Sequence, residues 1–224
     1  MTNFFQYNLN EVLNKSLKNI YFKIPTPVQE KCIPLILQGN DILGSAQTGT
    51  GKTAAFCIPM IELLMRSNKG SALIITPTRE LAKQVLDVVD SLLGFKSHIN
   101  TVALIGGELM SKQLSKLKRR PRIYIGTPGR INDHLERGTL NLHDTNFIVL
   151  DETDRMLDMG FEVQINKILK FVPPKRQTLM FSATIPDNIK KLSVKYLNNS
   201  KRISIGVENI AAKNIKQEVI ELKS

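Results

Sequence analysis

The sequence has few cysteines and no long apolar run. Among 224 residues only Cys32 and Cys57 are present, each within an apolar stretch. We interpret both as small core residues of a reducing compartment, with a disulfide or a metal pair as the disfavoured alternative. No apolar run approaches the ~20 residues that cross a bilayer, and the amino terminus lacks the basic and apolar segments of a secretory signal. We therefore expect a cytoplasmic protein with no membrane segment.

Histidine and acidic residues are also scarce. His98, His134 and His143 are scattered without metal-ligand spacing, and the sequence assigns them no role. There are 20 Asp and Glu against 31 Lys and Arg, which gives a formal net charge of +11. This excess favours a polyanionic partner, nucleic acid first and an acidic membrane second. A solvated lysine-rich surface is the alternative, and charge alone does not decide between them.

Short apolar segments alternate with helical stretches along most of the chain, which is long enough for one well-buried domain or two small ones. We predict strands at 41–46, 71–76, 99–105, 122–126, 147–150, 178–183 and 202–206. We predict helices at 8–20, 28–38, 52–66, 79–93, 108–118, 128–137, 161–171 and 187–197. This alternation predicts an α/β fold with a mostly parallel central sheet and helices on both faces. Ligands of such sheets bind at the carboxyl ends of the strands.

A candidate phosphate-binding loop follows the first predicted strand. The segment AQTGTGKT (46–53) carries two glycines between a strand and a helix, so its backbone N–H groups can turn inward beside the helix N-terminus. We expect Lys52 to reach the β- and γ-phosphates and the Thr53 hydroxyl to coordinate Mg²⁺. Ala46 stands where such loops usually begin with glycine. An ordinary glycine-rich turn is the alternative, which the flanking strand and helix disfavour.

Three carboxylates follow the predicted strand FIVL within four residues. Asp151 ends the strand and is placed to bind the metal of a phosphate site, in part through a metal-bound water. Glu152 is then placed to orient and deprotonate the attacking water. With Lys52, these two residues form the predicted catalytic set. The alternative is that the acids only stabilise the N-terminus of a following helix, and this alternative stays open for Asp154.

In their order, the motifs of this chain resemble those of the DEAD-box ATP-dependent RNA helicases. The similarity covers 5–206 and includes PTPVQ (25–29), AQTGTGKT (46–53), PTRELAKQ (77–84), Gly106-Gly107, TPGR (127–130), DETD (151–154) and SAT (182–184). PTPVQ is similar to the Q motif, within about 5–30, with Phe22 seven residues before Gln29 and Phe5 seventeen before Phe22. The resemblance implies a RecA-like P-loop NTPase lobe. It also implies an RNA-stimulated ATPase that unwinds RNA duplexes non-processively.

The resemblance further implies that one lobe binds both ATP and RNA. The implied ATP-binding residues are Phe22, Gln29, Ala46, Gln47, Thr48, Gly49, Thr50, Gly51, Lys52 and Thr53. Gln29 would read the adenine edge and Phe22 would pack against the base, with plain core packing as the alternative for Phe22. The implied RNA-binding residues are Thr78, Arg79, Gly106, Gly107, Thr127, Gly129 and Arg130. Such residues bind the RNA backbone, so binding independent of base sequence is expected. A structural ion pair is the alternative for Arg79.

Coupling between the two sites is implied by the resemblance as well. Ser182 and Thr184 would hydrogen-bond Asp154 and so connect the ATP state with duplex opening. A simple turn cap by the two hydroxyl groups is the alternative.

Two residues depart from the family's pattern. Thr153 replaces the alanine of the DEAD motif and adds a hydroxyl group and a branch at Cβ. Because Asp151, Glu152 and Asp154 keep their spacing, we expect the site to remain competent. Tyr21 stands where the family usually has glycine, which weakens the prediction that this region contacts the edge of the nucleotide.

Length is the larger departure, because the family needs a second RecA-like lobe with arginines that complete the ATP site. No HRxGRxGR-like segment is present. We therefore predict that 1–206 is the ATP-binding lobe and that 207–224 is a linker with the start of a missing lobe. We expect a monomer that binds adenine nucleotide weakly and does not unwind RNA alone. The alternatives are an RNA clamp that binds ATP without hydrolysis, which Glu152 disfavours, and a DNA-directed P-loop motor, which residue chemistry does not exclude.

Overall fold

The computed structural model describes residues 3–47, 49–94 and 97–205. Within these ranges the chain forms seven strands, nine α-helices and a 3₁₀ helix at Phe4–Tyr7. The strands are β1 (Ile42–Ala46), β2 (Ser71–Ile75), β3 (Thr101–Leu104), β4 (Ile123–Gly126), β5 (Thr145–Leu150), β6 (Gln177–Ser182) and β7 (Lys201–Ile205). The helices are α1 (Glu11–Asn19), α2 (Pro27–Leu37), α3 (Lys52–Arg66), α4 (Arg79–Leu93), α5 (Met110–Leu117), α6 (Pro128–Glu136), α7 (Thr153–Asp158), α8 (Glu162–Leu169) and α9 (Asp187–Tyr196).

The predicted elements are all present, with ends displaced by at most three residues. The short helix α7 and the 3₁₀ helix were not predicted. The predicted linker and second-lobe start, 207–224, lie outside the described residues. None of the helices in the described part of the chain is long and apolar enough to cross a membrane.

The seven strands form one sheet in the order β3-β4-β2-β5-β6-β1-β7, and every pairing is parallel. The predicted α/β fold class is therefore confirmed. The register sets Leu104 beside Gly126, Gly126 beside Ile75, and Ile75 beside Leu150. Because the strands are parallel, their carboxyl ends share one edge, where the polar motifs follow.

Strands β1 to β6 are largely buried on both faces, as expected for a parallel sheet covered by helices, whereas the edge strand β7 exposes Lys201, Arg202 and Ser204. Ile74 and Val149 point into a core that they share with α1 to α4. Their neighbours Ile75 and Leu150 point into a second core, formed with α6 to α9. Free Cys32 and Cys57 are both buried in the first core, as their apolar surroundings predict.

Helix α1 ends in a left-handed turn at Tyr21. The Tyr21 N–H donates to the Lys18 carbonyl (3.1 Å) and the Phe22 N–H donates to the Leu17 carbonyl (2.9 Å), which are the two bonds of a Schellman motif. Tyr21 has φ +60°, a conformation that favours glycine. It is also 82% exposed, so packing of the side chain does little to offset the strain. This turn directs Phe22 onto the core, where its ring stacks on Phe4 at 6.2 Å and 30°.

This strain predicts a stability difference between two variants of Tyr21. The left-handed conformation costs a residue with a Cβ ~1–2 kcal/mol, and glycine's greater freedom in the unfolded chain offsets part of the gain. We expect Tyr21→Gly to be more stable than Tyr21→Ala by about 0.5–1 kcal/mol. Urea unfolding of both chains measures the difference. Equal midpoints would show that the turn is not strained.

Candidate nucleotide and nucleic-acid site

The phosphate loop joins the end of β1 to the start of α3. β1 ends at Ala46 and the 15-residue helix α3 begins at Lys52, so the loop reaches a helix N-terminus, where backbone N–H groups can bind anions. Gly49 and Gly51 have φ +80° and +91°, a region that glycine adopts without strain. Thr48 lies outside the described residues. The strand–loop–helix arrangement that the sequence predicts is present.

Two side chains hold the backbone of this loop. Within it, the Thr50 hydroxyl donates to the Gln47 carbonyl (2.8 Å). From α2, Gln29 Nε2 donates to the Gly51 carbonyl (3.2 Å), and its Oε1 accepts from the Thr26 N–H (3.0 Å). A Cβ at Gly51 would lie 2.6 Å from Gln29 Nε2, so glycine is required for this approach. The structure therefore places Gln29 against the phosphate loop, and its contact with adenine stays a prediction.

The two aromatic residues that the Q-motif spacing singles out, Phe22 and Phe5, lie in different environments. Phe22 is partly buried and packs on the core beside Phe4. Phe5, the residue seventeen before Phe22, is exposed instead, and the Lys18 ammonium lies 5.0 Å from its ring centroid. Core packing, the alternative for Phe22, is observed, and its contact with a base stays a prediction.

Lys52 and Asp151 are buried groups of opposite charge. Lys52 is 7% exposed and Asp151 is 3% exposed. The Lys52 ammonium donates to the Ala46 carbonyl (2.6 Å), and Asp151 Oδ1 accepts from the Glu152 N–H (3.0 Å). Burial raises the pKa of Asp151 from 3.8 to about 6; the Lys52 charge opposes this rise and the Glu152 charge adds to it. A metal ion beside Asp151 would favour its ionised form.

This raised pKa predicts how stability depends on pH. Because the folded pKa lies above 3.8, the folded state binds this proton more tightly, so the group opposes folding as pH rises through about 6. At pH 8 we expect Asp151→Asn to raise the free energy of unfolding by on the order of 1–3 kcal/mol. The gain should shrink as the pH falls from 6 towards 4. Urea unfolding of the metal-free chain across this range measures the gain.

A control variant separates burial of charge from loss of any aspartate. Asp158 is exposed at the end of α7, so Asp158→Asn should change stability by less than about 0.5 kcal/mol at every pH. A gain from Asp151→Asn that stayed constant between pH 8 and pH 4 would contradict the assignment.

Glu152 lies at the start of α7 with a left-handed backbone, φ +51°. Its Oε2 accepts from Arg155 Nη1 (3.3 Å) one turn later. A residue with a Cβ is strained in this region, and such strain is found at functional sites. Glu152 thus stands at the carboxyl edge of β5, directly after the buried Asp151.

The hydroxyl group of Thr153 bonds the ends of two strands. The side chain is fully buried, and Oγ1 lies 3.2 Å from the Leu150 carbonyl of β5 and 3.1 Å from the Phe181 carbonyl of β6. One hydroxyl proton is shared between two acceptors, which no side chain of alanine could serve. The departure from the DEAD pattern is therefore accommodated in the core and adds a link between β5 and β6.

We expect this link to be measurable as stability. Thr153→Val keeps the shape but removes the donor and leaves two buried carbonyls less satisfied, so it should cost about 1–2 kcal/mol. Thr153→Ser keeps the donor and loses one methyl group, so it should cost ~0.8 kcal/mol or less. Urea unfolding compares the two. If valine proved as stable as threonine, the hydroxyl group would contribute nothing.

Asp154 connects the DETD segment with the SAT turn. Its Oδ2 accepts from the Ala183 N–H (3.1 Å), the Thr184 N–H (3.0 Å) and the Thr184 hydroxyl (3.2 Å). The expected bond from Thr184 is therefore present. The expected bond from Ser182 is wrong: its Oγ is buried without a hydrogen-bond partner among the described residues. Ser182 is the last residue of β6 and lies inside the sheet, whereas backbone N–H groups of the following turn reach the carboxylate.

The predicted RNA-binding residues lie at the ends of three neighbouring strands. Thr78 and Arg79 follow β2, Gly106 and Gly107 follow β3, and the segment 127–130 follows β4. The phosphate loop and the DETD and SAT segments follow β1, β5 and β6. The sheet order places the two groups on adjoining halves of one edge, with β2 beside β5.

Arg79 packs against the glycine pair. A Cβ at Gly106 would lie 3.0 Å from Arg79 Nη2, and a Cβ at Gly107 would lie 2.4 Å from Nη1. Side chains at either position would displace the guanidinium. Arg79 is exposed and forms no ion pair with the described residues. The loop backbone and a cationic side chain thus form one surface.

The TPGR segment begins α6, with Thr127 as its N-cap. A Cβ at Gly129 would meet no described protein atom within 4 Å, so internal packing does not require glycine there. Arg130 is only 17% exposed, and its Nη1 donates to the Glu108 carbonyl (3.3 Å) while Nε lies 3.7 Å from Asp133. Arg130 thus supports the neighbouring loop, and its contact with RNA stays a prediction.

Comparisons with known proteins agree with this geometry. A model of the DEAD/DEAH box helicase family matches residues 26–192. The ATP-dependent RNA helicase CshA of Listeria monocytogenes is 46% identical over 99% of this chain and 43% of its own length. The ATP-dependent RNA helicase DbpA of Bacillus subtilis is 41% identical over 100% of this chain and 47% of its own. The chain therefore spans less than half of either relative.

A solved structure is also similar. The crystal structure of a DEAD box protein from the hyperthermophile Methanococcus jannaschii superposes with a TM-score of 0.86 and 42% identity. The match covers 91% of this chain and 56% of that one.

Proposed function

Because this chain belongs to the DEAD/DEAH box helicase family, we propose that it is the ATP-binding first lobe of an ATP-dependent RNA helicase. The observation that carries the proposal is the contact of Asp154 with the SAT turn, which joins the phosphate-site carboxylates to the next strand. We assign the lobe to 1–206 and the linker to 207–224. The monomeric state and the cytoplasmic location stay predictions of the sequence.

The chemistry of the phosphate loop suits a nucleoside triphosphate with Mg²⁺. Lys52 provides a buried cation whose ammonium lies against the loop backbone, and it would donate to the β- and γ-phosphates. Thr53 and Asp151 would hold Mg²⁺, which takes one or two carboxylates and keeps several waters. ATP and Mg²⁺ supply the phosphoryl group and the charge that neutralises its oxygens.

Gln29 has hydrogen-bonding capacity left for adenine. Its amide has two N–H donors and an oxygen with two lone pairs, and Gly51 and Thr26 take one of each. The remaining donor and acceptor suit the adenine edge, and Phe22 would support the base from the core side. Through the bond to Gly51, the same amide would connect base recognition with the phosphate loop.

Glu152 would orient the attacking water and remove its proton. The strained backbone of Glu152 sets the direction of its side chain after β5, and Arg155 donates to one oxygen of its carboxylate. Asp151, one residue before it, would remain ionised beside Mg²⁺, so the two acids take different roles. Lys52 would stabilise the negative charge on the transferred phosphoryl group.

The RNA backbone would lie across the half of the edge that carries Arg79, Gly106, Gly107 and Thr127. Backbone N–H groups and a guanidinium bind phosphate without reading bases, so binding independent of sequence is expected. A second RecA-like lobe would bind the other part of the strand and supply further cations to the ATP site. We propose that unwinding requires both lobes.

The test is Mg·ATP hydrolysis with and without single-stranded RNA, in this chain and in a longer protein that contains both lobes. The longer protein should hydrolyse ATP in an RNA-dependent manner, and Glu152→Gln should lower its turnover about 100-fold or more. This chain alone should show no RNA stimulation above its own Glu152→Gln variant. Thr153→Ala in the longer protein should change turnover by less than about tenfold, or 1.4 kcal/mol.

The contrary outcomes are distinct. Duplex separation by this chain at stoichiometric concentration would refute the need for a second lobe. Unchanged turnover in Glu152→Gln would refute the role of Glu152. RNA binding that depends on ATP, without hydrolysis by the longer protein, would point to a clamp that only binds ATP. Equal competition by matched DNA and RNA strands would remove the preference for RNA.

A further inference from the structure

A buried amide on α5 holds the loop that contains the glycine pair. Gln113 Nε2 donates to the carbonyl oxygens of Ile105 (3.0 Å) and Glu108 (3.4 Å), the residues on either side of Gly106 and Gly107. Gln113 is 1% exposed, so water does not compete for these bonds. One amide group therefore fixes both ends of the loop.

His134 of α6 fixes the orientation of this amide. His134 Nε2 lies 3.1 Å from Gln113 Oε1, and Nδ1 lies 2.8 Å from Thr139 Oγ1. An amide oxygen only accepts, so Nε2 carries a proton and donates it to Gln113. Burial lowers the pKa of His134 below its usual range, which favours the neutral ring, so Nδ1 is an acceptor. The single Thr139 hydroxyl proton is shared between Nδ1 and the His134 carbonyl, which lies 3.1 Å from Oγ1. The ring is fully buried and both nitrogens are engaged.

Helix α6 contacts the loop by two routes. Arg130 Nη1 donates directly to the Glu108 carbonyl (3.3 Å), and His134 acts on the same loop through Gln113. Helix α6 begins with the TPGR segment, so the network cross-links two of the elements proposed to hold RNA. Because each buried donor and acceptor in it is satisfied, the network rigidifies rather than destabilises the edge.

We propose that Gln113 and His134 are positioning residues for RNA binding, which hold the Gly106-Gly107 loop and the N-terminus of α6 as one preformed surface for a ribose-phosphate backbone. This inference rests on the proposed function. Neither residue touches RNA, since both are buried. They act by ordering the loop before binding, so that the bound complex does not incur the entropy cost of ordering it.

Paired variants of His134 test the link. His134→Leu removes the Nε2 donor, whereas His134→Gln can place an amide N–H near the same point. In the free chain, hydrogen exchange at the amides of 106–108 should accelerate about tenfold or more in His134→Leu and recover in His134→Gln. Affinity for a fluorescently labelled oligouridylate should fall about tenfold in His134→Leu and by less than about threefold in His134→Gln. The affinity for ADP should not change in either variant.

A control variant tests whether a loss of stability by itself lowers RNA affinity. Ile189 is buried in α9, the helix that precedes the edge strand β7 on the far side of the sheet. Ile189→Val is expected to lower stability modestly without altering RNA affinity. Should His134→Leu fail to fold, Gln113→Met breaks the same link from α5 with little change in volume.

Three results would overturn the inference. Unchanged exchange at 106–108 in both His134→Leu and Gln113→Met would show that the network does not order the loop. Faster exchange with unchanged oligouridylate affinity would show that loop order does not serve binding. If the unsubstituted chain did not bind oligouridylate although exchange responded as expected, the proposed RNA binding itself would be wrong, which separates the two failures.

Discussion

Seven parallel strands end at one edge, and the backbone polar groups at that edge must be satisfied without another strand to pair with. The side chains of the motifs perform this task. Lys52 donates to the carbonyl of Ala46, and Gln29 donates to that of Gly51. Thr153 donates to the Leu150 carbonyl, the last of β5, and to the Phe181 carbonyl, the last but one of β6. Lys52 and Gln29, which we propose to bind nucleotide, thus also satisfy backbone groups at this edge, so we expect their substitution to affect stability as well as the proposed function.

The buried carboxylate of Asp151, unlike these hydrogen-bonded side chains, lowers the stability of the fold. Burial raises the pKa of Asp151 although the Lys52 cation is close enough to oppose the rise, so the ionised site costs folding free energy. A ligand that binds only the folded state returns such free energy by mass action. We infer that nucleotide with Mg²⁺ stabilises this half of the edge. In the other half, Gln113 and His134 hold the loop through hydrogen bonds between uncharged groups, so we expect the order of that half not to depend on nucleotide.

The sequence predicted the sheet, the eight longer helices and the phosphate loop, because the spacing of apolar residues and the positions of glycines depend directly on backbone geometry. It did not predict which atom a side chain would reach. Ser182 and Thr184 were equivalent by spacing, yet only Thr184 lies in the turn that faces Asp154. His134 carried no spacing signal, since its partners come from another helix and a loop. Directions of buried polar side chains depend on tertiary packing, which a local pattern does not contain.

Four consecutive residues of the DETD segment bind four different partners. Asp151 accepts from the Glu152 N–H, and Glu152, which has a strained backbone, accepts from Arg155. Thr153 ties β5 to β6, and Asp154 holds the SAT turn with one oxygen and three donors. A shift of this segment would therefore move the carboxylate of Glu152 and the SAT turn together. β5 and β6 are already paired along the sheet as far as Leu150 and Met180. The buried hydroxyl group of Thr153 extends this pairing with a side-chain connection that alanine could not make, so we expect the two strand ends to move together.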